Sequence, residues 1–135
     1  MKIFDLYDIS EVKVEDKGIK RYINLEPKTM LKSHGRSRVR FAKYTKVNIV
    51  ERLANQLQVP GHRRKKHKIA TPWASGKYEG TMRIVLGAFK IIEERMKMNP
   101  VQVFVKAIEN AAPRDEITVI EYGGARYPQA VDVAP

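Results

Sequence analysis

Apolar positions recur at helical spacing in three stretches of the chain and then switch to alternation. Val47, Val50, Leu53, Ala54 and Leu57 fall at intervals of three and four, which predicts a helix over about 45–58 with one buried face, Thr45 as its N-cap, and Pro60-Gly61 ending it. Tyr78, Met82, Val85, Leu86, Phe89, Ile92 and Met96 repeat the pattern over about 77–98. At 1.5 Å per residue that helix spans ~33 Å. Asn99-Pro100 stops it and starts the next, since Asn accepts from free N–H groups at a helix start and Pro is tolerated at the first helical position. The third helix buries Val101, Phe104, Val105 and Ile108 and stops before Pro113.

Beyond Pro113 the period becomes two. Ile117-Thr118-Val119-Ile120-Glu121-Tyr122 is β-branched and alternating, Gly123-Gly124 supplies a turn, and Tyr127 to Val133 returns. An isolated pair of strands needs a third strand or a helix beneath it, so this β-hairpin, at about 117–133, either packs on the helices or projects toward a partner. The first 34 residues lack a sustained period, with Gly18 and Pro27 as punctuation and only Tyr22-Ile23-Asn24-Leu25 alternating as a short strand would. They read as an extended arm. The predicted class is mainly α: a helical core, three helices in this chain, with a protruding β-hairpin and an extended basic N-terminal arm. Residues 1–44 form the arm and 45–135 the helical domain.

Charge adds a direction to this outline. The 135 residues carry a net charge of +11, and residues 35–100 hold +12 of it, against +1 before and −2 after. A solubilising surface interleaves its signs, so a stripe of one sign marks a binding face for an anionic partner. The absence of cysteine excludes a disulfide framework, a thiolate metal site and a thiol nucleophile, and fits a reducing compartment. No basic start leads into an apolar run, and no run of about 18 apolar residues occurs anywhere, so neither a signal peptide nor a membrane span is expected.

Two segments concentrate the cations. Arg36, Arg38 and Arg40 stand at alternate positions, which in an extended chain puts all three on one side, a comb suited to successive phosphates. His62-Arg63-Arg64-Lys65-Lys66-His67-Lys68 links the first two helices, a block whose self-repulsion calls for an anion such as nucleic acid. Rival readings are a nuclear-localisation or anionic-membrane patch, and metal binding through the histidines. The last fails because no Cys, Asp or Glu lies near and the surrounding field repels a cation. Gly76-Lys77 before a helix imitates a phosphate loop but has Thr71 where the Walker pattern needs Gly and Tyr78 where it needs Ser or Thr. Lys77 and the adjoining helix N–H groups can still face a backbone phosphate. Trp73 beside the same helix start is a stacking or a core residue. At the hairpin tip, Arg126 and Tyr127 form a cation and stacking pair, with Tyr127 packing across to Tyr122 or Ile120 as the alternative. Paired carboxylates, a Ser/His/Asp set and H-E-x-x-H are all missing, so the chain is not expected to be an enzyme and needs no cofactor or small-molecule substrate.

The order VNIVERLANQL, GHRRKKHK, IIEERMKMNP, VQVFVKAIENAAP and EITVIEYGGARYPQAVDVAP resembles the universal small-subunit ribosomal protein of family seven, in its archaeal or eukaryotic form. The run from Asn99-Pro100 through Glu109-Asn110 to Pro113, followed by Gly123-Gly124-Ala125 and Tyr127, carries the resemblance most strongly, and Arg21-Tyr22-Ile23-Asn24-Leu25 extends it into the arm. It implies a structural RNA-binding protein of the cytoplasmic ribosome that docks on the large 3′ domain of small-subunit rRNA, in the head, and nucleates head assembly. Neighbouring ribosomal proteins and the exit-site tRNA are its further partners. Matched by motif, Arg36, Arg38, Arg40, Lys43, Lys46, Arg63, Arg64, Lys65, Lys66, His67 and Lys68 fall in rRNA-contacting regions, and Gly123, Gly124 and Arg126 in the ribbon near the exit site. The family pattern continues past the hairpin with further helices, so the helical domain is expected to be incomplete at its C-terminal end. The alternative is a DNA-binding protein that uses the basic linker. A helix-turn-helix wants a turn of about 3–4 residues, and the gap from Gln58 to Lys77 is far longer.

Overall fold

A computed structural model describes residues 2–35, 42–60 and 74–133. Two short strands, β1 (Lys2–Ile3) and β2 (Tyr7–Asp8), pair antiparallel at the start, and a single helical turn, α1 (Lys17–Lys20), follows. Next come α2 (Ala42–Thr45), α3 (Ile49–Leu57), α4 (Tyr78–Met96) and α5 (Pro100–Ala111). The antiparallel pair β3 (Asp115–Tyr122) and β4 (Ala125–Asp132) closes the described chain. The mainly α class with a β-hairpin is therefore the observed one.

The helical periodicity holds, with one boundary moved. Thr45 ends α2 and does not cap α3; Asn48 does, its side chain accepting from the Val50 N–H at 2.9 Å. Asn48 wins that role because it is buried, with its amide donating to the Glu26 carbonyl at 2.9 Å, so it caps and tethers at once. At the other junction Lys97, in the left-handed conformation, ends α4, and Asn99 caps α5 by accepting from the Val101 N–H at 3.0 Å with Pro100 first in the helix. Helix α4 packs against both α3 and α5. Met82, Val85 and Phe89 of α4 meet Val50 and Ala54 of α3 and Val101 of α5 in one core. Leu57 and Met96, at the ends of the predicted faces, stay exposed.

The N-terminal segment differs from a free arm. Ile3, Tyr7, Ile9 and Leu31 belong to the same core as the helices, and Tyr7 meets Phe89 edge to face with centroids 5.9 Å apart. Burying each such side chain contributes about 1.5–3 kcal/mol. The expected strand at Tyr22–Leu25 does not form, and its polar backbone pairs with the helices: the Asn24 carbonyl accepts from Ile49 N–H at 2.9 Å and the Tyr22 carbonyl from the Arg52 guanidinium at 2.7 Å. The segment is extended for much of its length, but it is laid down along the helices. Sparse apolar residues suffice because the helices supply the rest of the core.

Candidate nucleic-acid interface

Of the candidate residues, Lys46, Lys77, Gly123, Gly124, Arg126 and Tyr127 are described; Arg36, Arg38, Arg40 and the linker Arg63, Arg64, Lys65, Lys66, His67 and Lys68 lie outside the described residues. So does Trp73, and so does the side chain of Lys43, whose backbone is in α2. Lys46 is exposed in the turn between α2 and α3, and Lys77 is exposed immediately before α4, with no side-chain hydrogen bond capping the helix. Neither makes an ion pair among the described residues, so both ammonium groups are available to an anion.

Lys46 is one wall of a cavity of about 530 Å³ that also receives Lys28, Lys32, His34, Ser33 and Thr45 together with Glu26 and Glu51, and Glu26 pairs with Lys28 at 2.7 Å. Lys28 and Lys32 give no signal in the sequence because residues 1–34 sum to only +1, and the fold alone brings that segment, with His34, beside Lys46. Their placement follows from two anchors. The buried Glu51 carboxylate accepts from the Ser33 N–H at 2.7 Å, and the Tyr78 hydroxyl donates to the Leu31 carbonyl. Burial, and then the nearby Glu51 charge, push the Tyr78 phenol up to about 12, so it remains a donor at neutral pH. Lys32 also lies 5.7 Å from the Tyr78 ring centroid, a cation–π contact that steadies its stem.

Glu109 and Gln102 of α5 fix residues 13–16. The Glu109 carboxylate accepts from the Glu15 and Asp16 N–H groups at 2.7 and 3.0 Å, and the Gln102 amide both accepts from and donates to Lys13. The Asp16 N–H chiefly, then the Glu15 N–H and the Lys106 ammonium, hold the Glu109 carboxyl below its usual range against the opposing effect of burial. Asp16 in turn engages Arg114. These groups organise the fold; nothing about them suggests proton transfer, and among the described residues no cluster of His, Asp and Glu could hold a metal ion.

The ribbon behaves otherwise. Gly123 and Gly124 both have positive φ, 59° and 81°, as a two-residue hairpin turn of this twist requires. Every residue of β3 and β4 is exposed. Tyr127 sits across from Ile120, Arg126 from Glu121 and Ala125 from Tyr122, so the cross-strand packing of Tyr127 holds for Ile120 while 58% of the tyrosine remains open to a further partner. The hairpin projects and does not pack on the helices.

Comparison with known proteins bears on what these surfaces meet. The model of the family "Ribosomal protein S7p/S5e" matches residues 19–135. This chain belongs to that family. The small ribosomal subunit protein uS7 of Nanoarchaeum equitans is 52% identical over 136 residues, covering all of this chain and 68% of its own length. Those of Methanococcus aeolicus and Methanothrix thermoacetophila are 42% and 41% identical over 135 residues, with 66% and 67% of their lengths matched. The chain thus spans about two thirds of these uS7 proteins. The S7p/S5e family is non-enzymatic, which accords with the lack of any acid–base or nucleophile set in the sequence.

Proposed function

We propose that this chain is a structural constituent of the small subunit of the cytoplasmic ribosome and binds small-subunit rRNA. The observation that carries the reading is the family match over residues 19–135 in a chain whose net charge of +11 is concentrated in its middle half. Neighbouring ribosomal proteins are its other partners. No helix among the described residues is long and apolar enough to cross a membrane.

The mechanism is that of a scaffold. Arg36, Arg38 and Arg40, with Lys43, Lys46 and Lys77, neutralise phosphates on one stretch of RNA, and Arg63, Arg64, Lys65, Lys66, His67 and Lys68 clamp a second. Holding two stretches at once fixes an RNA junction in one geometry, read through shape and backbone. On the large 3′ domain this nucleates assembly of the head. Gly123, Gly124, Arg126 and Tyr127 at the hairpin tip then reach toward the exit-site tRNA, Tyr127 offering a stacking face and Arg126 a charge.

Sedimentation of the tagged protein tests the first step: it should travel with small subunits, and a profile confined to other fractions would end the reading. Binding to a structured rRNA junction in competition with duplex DNA tests the second. Tighter binding to the junction is expected, and equal affinity would favour the DNA-binding alternative. Replacing Arg63, Arg64, Lys65, Lys66 and Lys68 by Ala should flatten the dependence of log K on log salt by about 0.7–0.9 for each phosphate that is no longer neutralised. An unchanged slope would remove the linker from the interface.

A further inference from the structure

We propose that one face of the hairpin shaft is a docking surface for a basic protein segment, distinct in chemistry from the cationic surfaces used for RNA. In a two-residue hairpin the pair flanking the turn, Tyr122 and Ala125, exchanges hydrogen bonds, so every second pair does not. The non-bonded pairs are Glu121↔Arg126, Val119↔Pro128, Ile117↔Ala130 and Asp115↔Asp132, and all of them share one face. That face has an aliphatic centre in which Ile117 is 73% and Val119 56% exposed, and nothing among the described residues covers it.

Its rim is acidic. Asp115, Glu121 and Asp132 lie on this face with Arg126 as its one cation, a net −2 in a protein of net +11. At the base Asp115 and Asp132 stand directly opposite each other in a non-bonded pair, where side chains approach most closely. Like charges so placed disfavour the strand pair, and no described cation relieves them. The adjacent Arg114 is already engaged by Asp16. An RNA backbone would add to the repulsion, and aliphatic side chains offer a nucleobase no stacking plane. A Lys- or Arg-bearing protein surface both neutralises the aspartates and buries Ile117 and Val119. Pro128, whose nitrogen faces outward from a non-bonded pair, offers no donor along the β4 edge, so the partner lies on the face and does not extend the sheet at that edge.

The partner is sought in the assembled particle, which rests on the ribosomal reading. The tagged chain carrying Val119→p-benzoylphenylalanine is expressed in cells, sedimented, and irradiated in whichever fraction contains it; adducts are then digested with nuclease or protease. Thr118→p-benzoylphenylalanine probes the opposite face. The expected result is a single protein adduct from position 119, on a Lys- or Arg-rich peptide of another chain, absent from position 118 and reduced at least threefold by Asp115→Asn with Asp132→Asn. Neither substitution touches the helical core, so folding is not at issue. Adducts to RNA, to another part of the same chain or to a second copy, a neutral or acidic adduct peptide, insensitivity to the aspartates, or no adduct would each overturn the inference. Failure of the ribosomal reading shows separately, in the sedimentation profile.

Discussion

The N-terminal segment and the hairpin have opposite relations between local regularity and tertiary burial. Residues 2–33 contain little regular structure, yet Ile3, Tyr7, Ile9 and Leu31 are core residues and the backbone is held by side chains of α3, α4 and α5. The hairpin is regular along its whole length and contributes nothing to that core. The difference lies in where backbone hydrogen bonds are satisfied. A strand pair satisfies half of them within itself and turns the other half out to water, so it can stand away from the protein; an irregular segment buried against the body must find partners on the elements it crosses. Glu109, Gln102, Asn48, Glu51 and Arg52 are those partners, which is why polar side chains sit at the seam between segment and helices.

The largest test of this contrast is truncation in the segment. Leu31, 2% exposed, should cost about 2–5 kcal/mol as Leu31→Ala, read from urea unfolding. A loss below about 0.5 kcal/mol would make the segment an appendage after all, as for an ordinary surface position. Next in size, Asn48→Ala removes both the α3 cap and the tether to Glu26 and should cost about 1–2 kcal/mol. An Asn48→Asp variant, which keeps the capping oxygen and loses the amide donor to Glu26, should fall between wild type and Asn48→Ala; one as stable as wild type would mean that the tether adds nothing.

Acid should loosen the hold of the helices on the segment. Glu109 has a folded pKa lowered from the usual 4.5, so its contribution is fully present above that value and is lost as pH falls through the lowered one. Asp16, lowered chiefly by the Gly18 N–H, follows the same sign. Wild type should therefore lose stability more steeply as pH falls below 4.5 than Glu109→Gln, whose amide oxygen still accepts but does not titrate. Parallel pH profiles would show that the carboxylate's charge is irrelevant. The smallest effect is expected in the ribbon: Ile117→Ala should change global stability by less than about 0.5 kcal/mol, with thermal unfolding as the measurement. A larger loss would reveal packing of the hairpin on the body.

Much of this architecture is legible in the sequence. Val50, Ala54, Val85, Phe89, Val101 and Val105 fall on period-3.6 faces, and Gly123-Gly124 between alternating runs marks a turn, because these signals are local and repeat. The α3 cap lies three residues beyond its expected place because Thr45 and Asn48 are both good caps, and only the approach of Glu26 favours Asn48. Lys28 and Lys32 escape a sequence reading for a related reason: a summed charge of +1 hides lysines that the fold gathers at one cavity with Lys46, beside Glu26 and Glu51.

The amino-acid sequence by itself determined the three longer helices α3, α4 and α5 but not the single turns α1 and α2, and it determined the hairpin and its turn, the central belt of positive charge and the family. Each is written in spacing or composition over neighbouring residues, where the chain's own geometry decides what faces what. Only the tertiary structure decided that the apparent arm is part of the core, that Glu109 and Glu51 hold its backbone, and that both faces of the ribbon are left open. Those outcomes depend on pairs as far apart in sequence as Glu15 and Glu109, where sparse apolar and polar residues acquire meaning from the surfaces they meet.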